Sequence, residues 1–122
     1  MNRHEELIRN FVDAWPSLDV DAIVDYFAED GIYHNMMIDP VQGRAGLTAF
    51  IGAFLNGWSD VKWDILNIAS AGNLVFAERV DHFKVGGKPV DLPCCGVFEI
   101  ENGKIKAWRD YFDMGTYMKA LA

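Results

Sequence analysis

Apolar residues recur with two different periods along the chain. Leu7, Ile8, Phe11, Val12 and Trp15 repeat with a helical spacing, and Pro16 ends the run. Asp19 is a suitable N-cap for a second helix that buries Ile23, Val24 and Phe27 and stops at Glu29-Asp30-Gly31. A short strand over residues 32–36 and a loop over 37–44, with Pro40 and Gly43, come next. A third helix over 44–55 buries Leu47, Phe50, Ile51, Phe54 and Leu55. The second half then reads as strands: residues 61–70, 74–85, 93–100 and 104–112. Turns at Ala71-Gly72-Asn73, Gly86-Gly87-Lys88 and Asn102-Gly103 separate them, the last being the strongest hairpin signal in the chain. Gly52, Gly57, Gly96 and Gly115 stand out as candidate bends or close approaches.

Helices followed by antiparallel strands make an α+β domain, expected to span residues 1–122. The N-terminal helices must pack over one face of a strongly curved sheet. Such a sheet forms a cone with an internal pocket in its mouth.

One strand breaks its own pattern. In FAERVDHF, alternation places Val75, Ala77, Arg79, Asp81, Phe83 and Val85 on one face and Leu74, Phe76, Glu78, Val80, His82 and Lys84 on the other. The first face is apolar except for an arginine and an aspartate in its middle. The last strand adds Asp110 between Trp108 and Phe112, and the short early strand puts Tyr33 and Asn35 on one face.

Composition narrows the classes. The chain has 122 residues, 51% of them hydrophobic and 13% aromatic, which suits a folded domain with a single core. Eleven basic against eighteen acidic residues give a net charge of −7, which repels nucleic-acid phosphates and anionic lipid. No apolar run approaches the roughly 20 residues of a membrane span. The N-terminus has no signal-peptide pattern, so a cytoplasmic location is expected. Cys94 and Cys95 are adjacent in an extended strand, where a mutual disulfide would be strained, so they are expected to be reduced residues on opposite faces. His34 and His82 lack H-x-x-x-H spacing and the cysteines lack C-x-x-C spacing, so no metal site is expected.

An isolated buried charge is costly, so Arg79 must pair with carboxylates. Its rigid fork of five donors can serve Asp81 and Asp110 together. Two carboxyls around one cation resist losing the second proton, so one is expected to stay protonated near neutral pH. One group then gives a proton while the other takes one. The same spacing also suits a buried salt bridge that only sets strand register. The alternation of KIKAWRDYFD leaves open which face carries Asp110.

YHNMMIDPVQGR, ERVDHF and LPCCGVFEIENGKIKAWRDYFD resemble the limonene-1,2-epoxide hydrolase family, over about residues 32–113. The shared order is Tyr-x-Asn, Arg-x-Asp, then the aspartate of WRDYFD. The resemblance implies a curved mixed sheet related to the nuclear-transport-factor-2-like cone, a homodimer, and no metal or cofactor. It implies that Asp81 is the acid that protonates an epoxide oxygen and Asp110 the base that deprotonates the attacking water. Arg79 would link the two, and Tyr33 and Asn35 would hold the water. Met37, Leu66, Phe83, Leu92 and Phe112 are the expected apolar pocket wall, suited to terpenoid, alicyclic or lipid-like epoxides.

Two other readings remain at this point. One is an isomerase or cyclase resembling ketosteroid isomerases or polyketide cyclases, built on the same cone. The other is a non-catalytic small-ligand-binding domain. The chain lacks a nucleophile-elbow motif, which disfavours an α/β-hydrolase route.

Overall fold

The computed structural model describes residues 2–122. Helix α1 (Arg3–Ala14) starts at Asn2, whose side chain accepts from the backbone N–H groups of His4 and Glu5. It buries Ile8, Phe11 and Val12, and a 3₁₀ turn at Trp15–Ser17 follows. Helix α2 (Val20–Val24) is capped by Asp19, as its sequence position suggests, with the carboxylate accepting from Ala22 N–H.

The expected extension of α2 to Phe27 is corrected. Strand β1 (Phe27–Asn35) begins there, because Phe27 pairs in parallel with Ile105 and the Tyr26 carbonyl accepts from Ile105 N–H. A partner strand some 80 residues away outweighs a weak local helix signal. A two-residue strand, β2 (Val41–Gln42), pairs with β1, and helix α3 (Arg44–Phe54) buries Leu47 and Ile51.

The remaining strands are β3 (Trp58–Ala71), β4 (Leu74–Val85), β5 (Lys88–Glu101) and β6 (Lys104–Phe112). β3 and β5 are longer than the sequence pattern indicates. Asp60 takes a left-handed conformation at φ 51°, where the β3–β4 register shifts, and pairing resumes beyond it. Lys88–Leu92 pair along β4 and bury Val90 and Leu92. Asn102 and Gly103 both have positive φ, 51° and 73°, as a two-residue hairpin turn requires. A further helix, α4 (Met114–Leu121), starts at Asp113, whose carboxylate accepts from Gly115 and Thr116 N–H.

The sheet order is β2-β1-β6-β5-β4-β3, antiparallel except for the β1–β6 pair. α1, the 3₁₀ turn and α3 cover its concave face. Phe11 is the centre of the core, with Trp15, Phe27, Phe98 and Trp108 meeting its ring edge-on.

Candidate active site

Register builds the site. Tyr33 is paired with Trp108, and Asn35 with Asp110, across the parallel β1–β6 ladder. Asp110 opposes Gly96 on β5, Gly96 opposes Ala77 on β4, and Arg79 opposes Cys94. Arg79 and Asp110 are therefore two strands apart, roughly 10 Å by sheet spacing. The arginine side chain has to cross β5 to reach its second partner, and β5 offers only Gly96 and Cys94 in its path.

Gly96 is required there. A Cβ at this position would lie 2.8 Å from Arg79 Nη1, Phe98 Cε1 and Trp108 Nε1. Gly96→Ala is expected to destabilise the fold by about 1–3 kcal/mol through overpacking. Urea unfolding measures this, and an unchanged midpoint would contradict the packing described.

The guanidinium that crosses is fully buried, at 0% exposure. Nε and Nη2 each donate to Asp81 at 3.0 Å. Nη1 donates to Asp110 Oδ1 at 3.0 Å and Nη2 to Asp110 Oδ2 at 2.9 Å. Both carboxylates thus receive two-point contacts from one cation, the arrangement for which arginine's planar fork is suited. Trp63 and Trp108 flank it, with ring centroids 5.0 and 5.6 Å from Cζ. Asp110 faces inward and is buried, which resolves the orientation that alternation leaves open.

Burial is the main cause that holds the Asp81 carboxyl above the ordinary carboxylate range. Arg79 opposes the shift without cancelling it, and the charge of Asp110 adds to it. Burial, and then the Asp110 charge, likewise hold the Tyr33 phenol well above its usual value, so it stays neutral. Its ring stacks on Trp108 with centroids 4.2 Å apart, which fixes the direction of the hydroxyl. Asn35 is buried beside it, and its Oδ1 has no hydrogen-bond partner. An orphaned acceptor in the wall of a cavity is a place for a water to donate.

The cavity has about 260 Å³ of empty space including its open mouth. Tyr33, Asn35, Asp81 and Asp110 form its polar end, and Phe54, Trp58, Trp63, Phe83, Leu92 and Phe112 its apolar wall. Two expected wall residues are corrected. Leu66 is 57% exposed, because it is the extra residue of a bulge in β3 between Ile65 and Asn67. Met37 is 41% exposed in the turn that follows β1. Phe54, Trp58 and Trp63 take their place. Phe54 reads as a buried helix residue from the sequence, Trp58 and Trp63 belong to the core cluster as well as to the cavity wall, and only the curvature of the sheet turns them toward a cavity.

One oxygen of each aspartate and Cys94 Sγ lie within 4.8 Å of one another, a donor set that could suit a cation. The Arg79 guanidinium fills that position and bonds all three groups. His82 points to the opposite sheet face. It bonds Asp91 at 2.6 Å and Asp64 at 3.2 Å, and the Asp91 hydrogen bond is the main cause that raises its pKa. Cys94 is buried, Cys95 half-buried, and both are free thiols. No helix is long and apolar enough to cross a membrane among the described residues.

Known proteins resemble this chain to different depths. A protein with a ketosteroid isomerase-like fold from Catenulispora acidiphila DSM 44928 superimposes with a TM-score of 0.85 at 20% identity, covering 94% of this chain and 91% of that one. That level of identity shows the nuclear-transport-factor-2-like architecture and nothing further. An M. tuberculosis LEH-like epoxide hydrolase matches with a TM-score of 0.84 at 27% identity, over 98% of this chain and 89% of its own. Epoxide hydrolase EphG of Mycobacterium tuberculosis (strain ATCC 25618 / H37Rv) is 31% identical over 114 residues, 93% of this chain and 76% of that protein. The limonene-1,2-epoxide hydrolase catalytic domain family matches residues 3–122. Matched along almost its whole described length, the chain belongs to the limonene-1,2-epoxide hydrolase family and is an epoxide hydrolase.

Proposed function

We propose that the chain adds water to a small apolar epoxide, terpenoid, alicyclic or lipid-like, to give a vicinal diol in one concerted acid–base step. The observation that carries this reading is the two-point bridging of both buried aspartates by Arg79 at the polar end of an aromatic cavity. Asp81 is the acid, because burial keeps its proton on at higher pH than an ordinary carboxyl would. Asp110 is the base, because its cross-strand neighbour Asn35 offers the unpartnered acceptor that holds a water beside it. Tyr33 completes the water's surroundings.

In the step itself, the water oxygen forms a bond to one epoxide carbon while the bond from that carbon to the ring oxygen breaks. The water's proton goes to Asp110, and the Asp81 proton goes to the departing oxygen. Protonation removes the problem of an alkoxide leaving group, and base assistance makes water a sufficient nucleophile. The pair ends with its protonation exchanged, and one proton must return from Asp110 to Asp81 before the next turnover.

A single turnover in isotopically labelled water tests the route. The label is expected in the diol at once. Label found first in a protein carboxylate would replace direct attack with a covalent ester route. A panel of alicyclic and open-chain epoxides, with an enolisable ketone alongside, tests the substrate class, and ketone isomerisation without diol formation would favour the isomerase reading.

The working unit is proposed to be a cytoplasmic homodimer. The outer sheet face exposes Leu66, Phe76 and Tyr111, which a second copy would cover, and the free cysteines suit a reducing compartment. Sedimentation velocity giving only single chains would remove the dimer.

A further inference from the structure

The cavity that holds the two aspartates is small, and its aromatic wall is rigid. Its empty space is about 260 Å³ including the open mouth, below the roughly 300–1,000 Å³ of most ligand pockets. The attacking water claims about 30 Å³ of that space. At a similar share for each non-hydrogen atom, room for roughly eight substrate atoms remains. A single small ring bearing an epoxide fits. A terpenoid skeleton or a long apolar chain does not.

Trp63 sets this limit beside the acid. It stands on β3 directly across the ladder from Asp81 and lines the cavity. One neighbour of its indole is the Arg79 guanidinium, whose Cζ is 5.0 Å from the ring centroid. Another is Trp15, stacked at 4.3 Å with an interplanar angle of 21°. Trp15 is itself fully buried, with Phe11 and Trp108 packed edge-on against it. Trp63 therefore cannot swing aside without displacing the packed centre of the core or stripping an aromatic neighbour from the guanidinium. Trp58 closes the adjoining wall in a similar manner. It stacks on Phe83 at 3.8 Å, with the Phe54 ring 5.0 Å away, and Tyr117 of α4 backs both phenylalanines edge-on.

We propose that Trp63 is the specificity-determining residue of this enzyme, confining its substrates to compact epoxides on one small unsubstituted ring or a chain of a few carbons. This narrows the substrate class proposed above and rests on that reading. A bulky substituent on the ring would have to occupy the volume of the indole. Replacing Trp63 with an aliphatic side chain opens that volume, because closely packed surroundings relax only partly into the space left behind.

Diol formation from three substrates tests the limit: cyclohexene oxide, the same ring carrying methyl and isopropyl groups, and a long-chain terminal epoxide. Wild-type kcat/KM is expected to favour cyclohexene oxide over the substituted ring by about 10- to 200-fold, the scale on which pocket size discriminates. Trp63→Leu should shrink or invert that ratio, through a gain on the substituted ring and a higher KM for cyclohexene oxide. The ratio isolates size, since a loss of stability or of Arg79 positioning lowers both substrates together. Trp63→Phe is a smaller change that keeps an aromatic face for Arg79. It should move the ratio the same way by less, and it carries the test if Trp63→Leu fails to fold. A wild-type enzyme that turns over the substituted ring or the long-chain epoxide as well as cyclohexene oxide would overturn the size limit. A ratio unchanged in the folded variants would remove Trp63 from its role. No diol from any of the three would instead overturn the apolar substrate class itself, and this limit with it.

Discussion

Asp81→Asn and Asp110→Asn are each expected to lower kcat by about 100- to 10,000-fold, the range that one positioned proton-transfer group supplies. The fold should survive both changes. With both carboxylates ionised, the cluster carries one excess negative charge. Replacing either with an amide leaves Arg79 paired with the other, so no buried charge is orphaned. The two variants differ in what remains of the pH profile. Asp81 acts in its protonated form and its pKa is raised, so wild-type kcat falls as pH rises through that raised value. In Asp81→Asn this basic limb should vanish from the residual activity, whereas Asp110→Asn should keep it. Diol formation against pH, with near-ultraviolet circular dichroism to confirm the fold, measures the outcome. Retained turnover in either variant would remove that aspartate from its role.

Arg79→Met should have the largest effect on stability, about 3–5 kcal/mol, as expected when one partner of a buried ionic cluster is removed. Methionine fills much of the same space, so the loss is chiefly electrostatic. Two carboxyls then share a buried site without their cation. The loss should shrink in acid. Asp81 already has a folded-state pKa above the usual unfolded value, and losing Arg79 raises it further, because Arg79 opposes the shift. Such a group contributes stability in full below the unfolded pKa and loses it as pH rises through the folded one. Urea unfolding of the variant near pH 4 and near pH 8 should therefore show the smaller deficit at pH 4. An equal deficit at both would mean that Arg79 stabilises by packing against Trp63 and Trp108 instead.

Much of this arrangement is legible from local pattern. Asp19 as a cap, Asn102-Gly103 as a two-residue turn, and the helical spacing of Ile8, Phe11 and Val12 all depend on residues within one turn or two of each other. The inward pairing of Arg79 and Asp81 depends only on the parity of positions along one strand. Phe27, Leu66 and the extra length of β3 were not legible, for two reasons. A long-range partner strand claimed Phe27, and bulges broke the parity at Asp60 and Leu66. Neither a distant partner nor a bulge leaves a clear mark on its own stretch of sequence.

By itself, the sequence determined which side chains share a strand face, where the chain turns, and that a cation and an acid lie in an apolar surface. Only the tertiary structure decided that Asp110 meets that cation, that Asn35 stands beside Asp110, that Cys94 lies under the guanidinium, and that Phe54, Trp58 and Trp63 wall the cavity. Alternation sets a side chain's direction within its own strand. The register between strands, and the curvature that opens a cavity, arise from hydrogen bonds and packing between residues far apart in the chain.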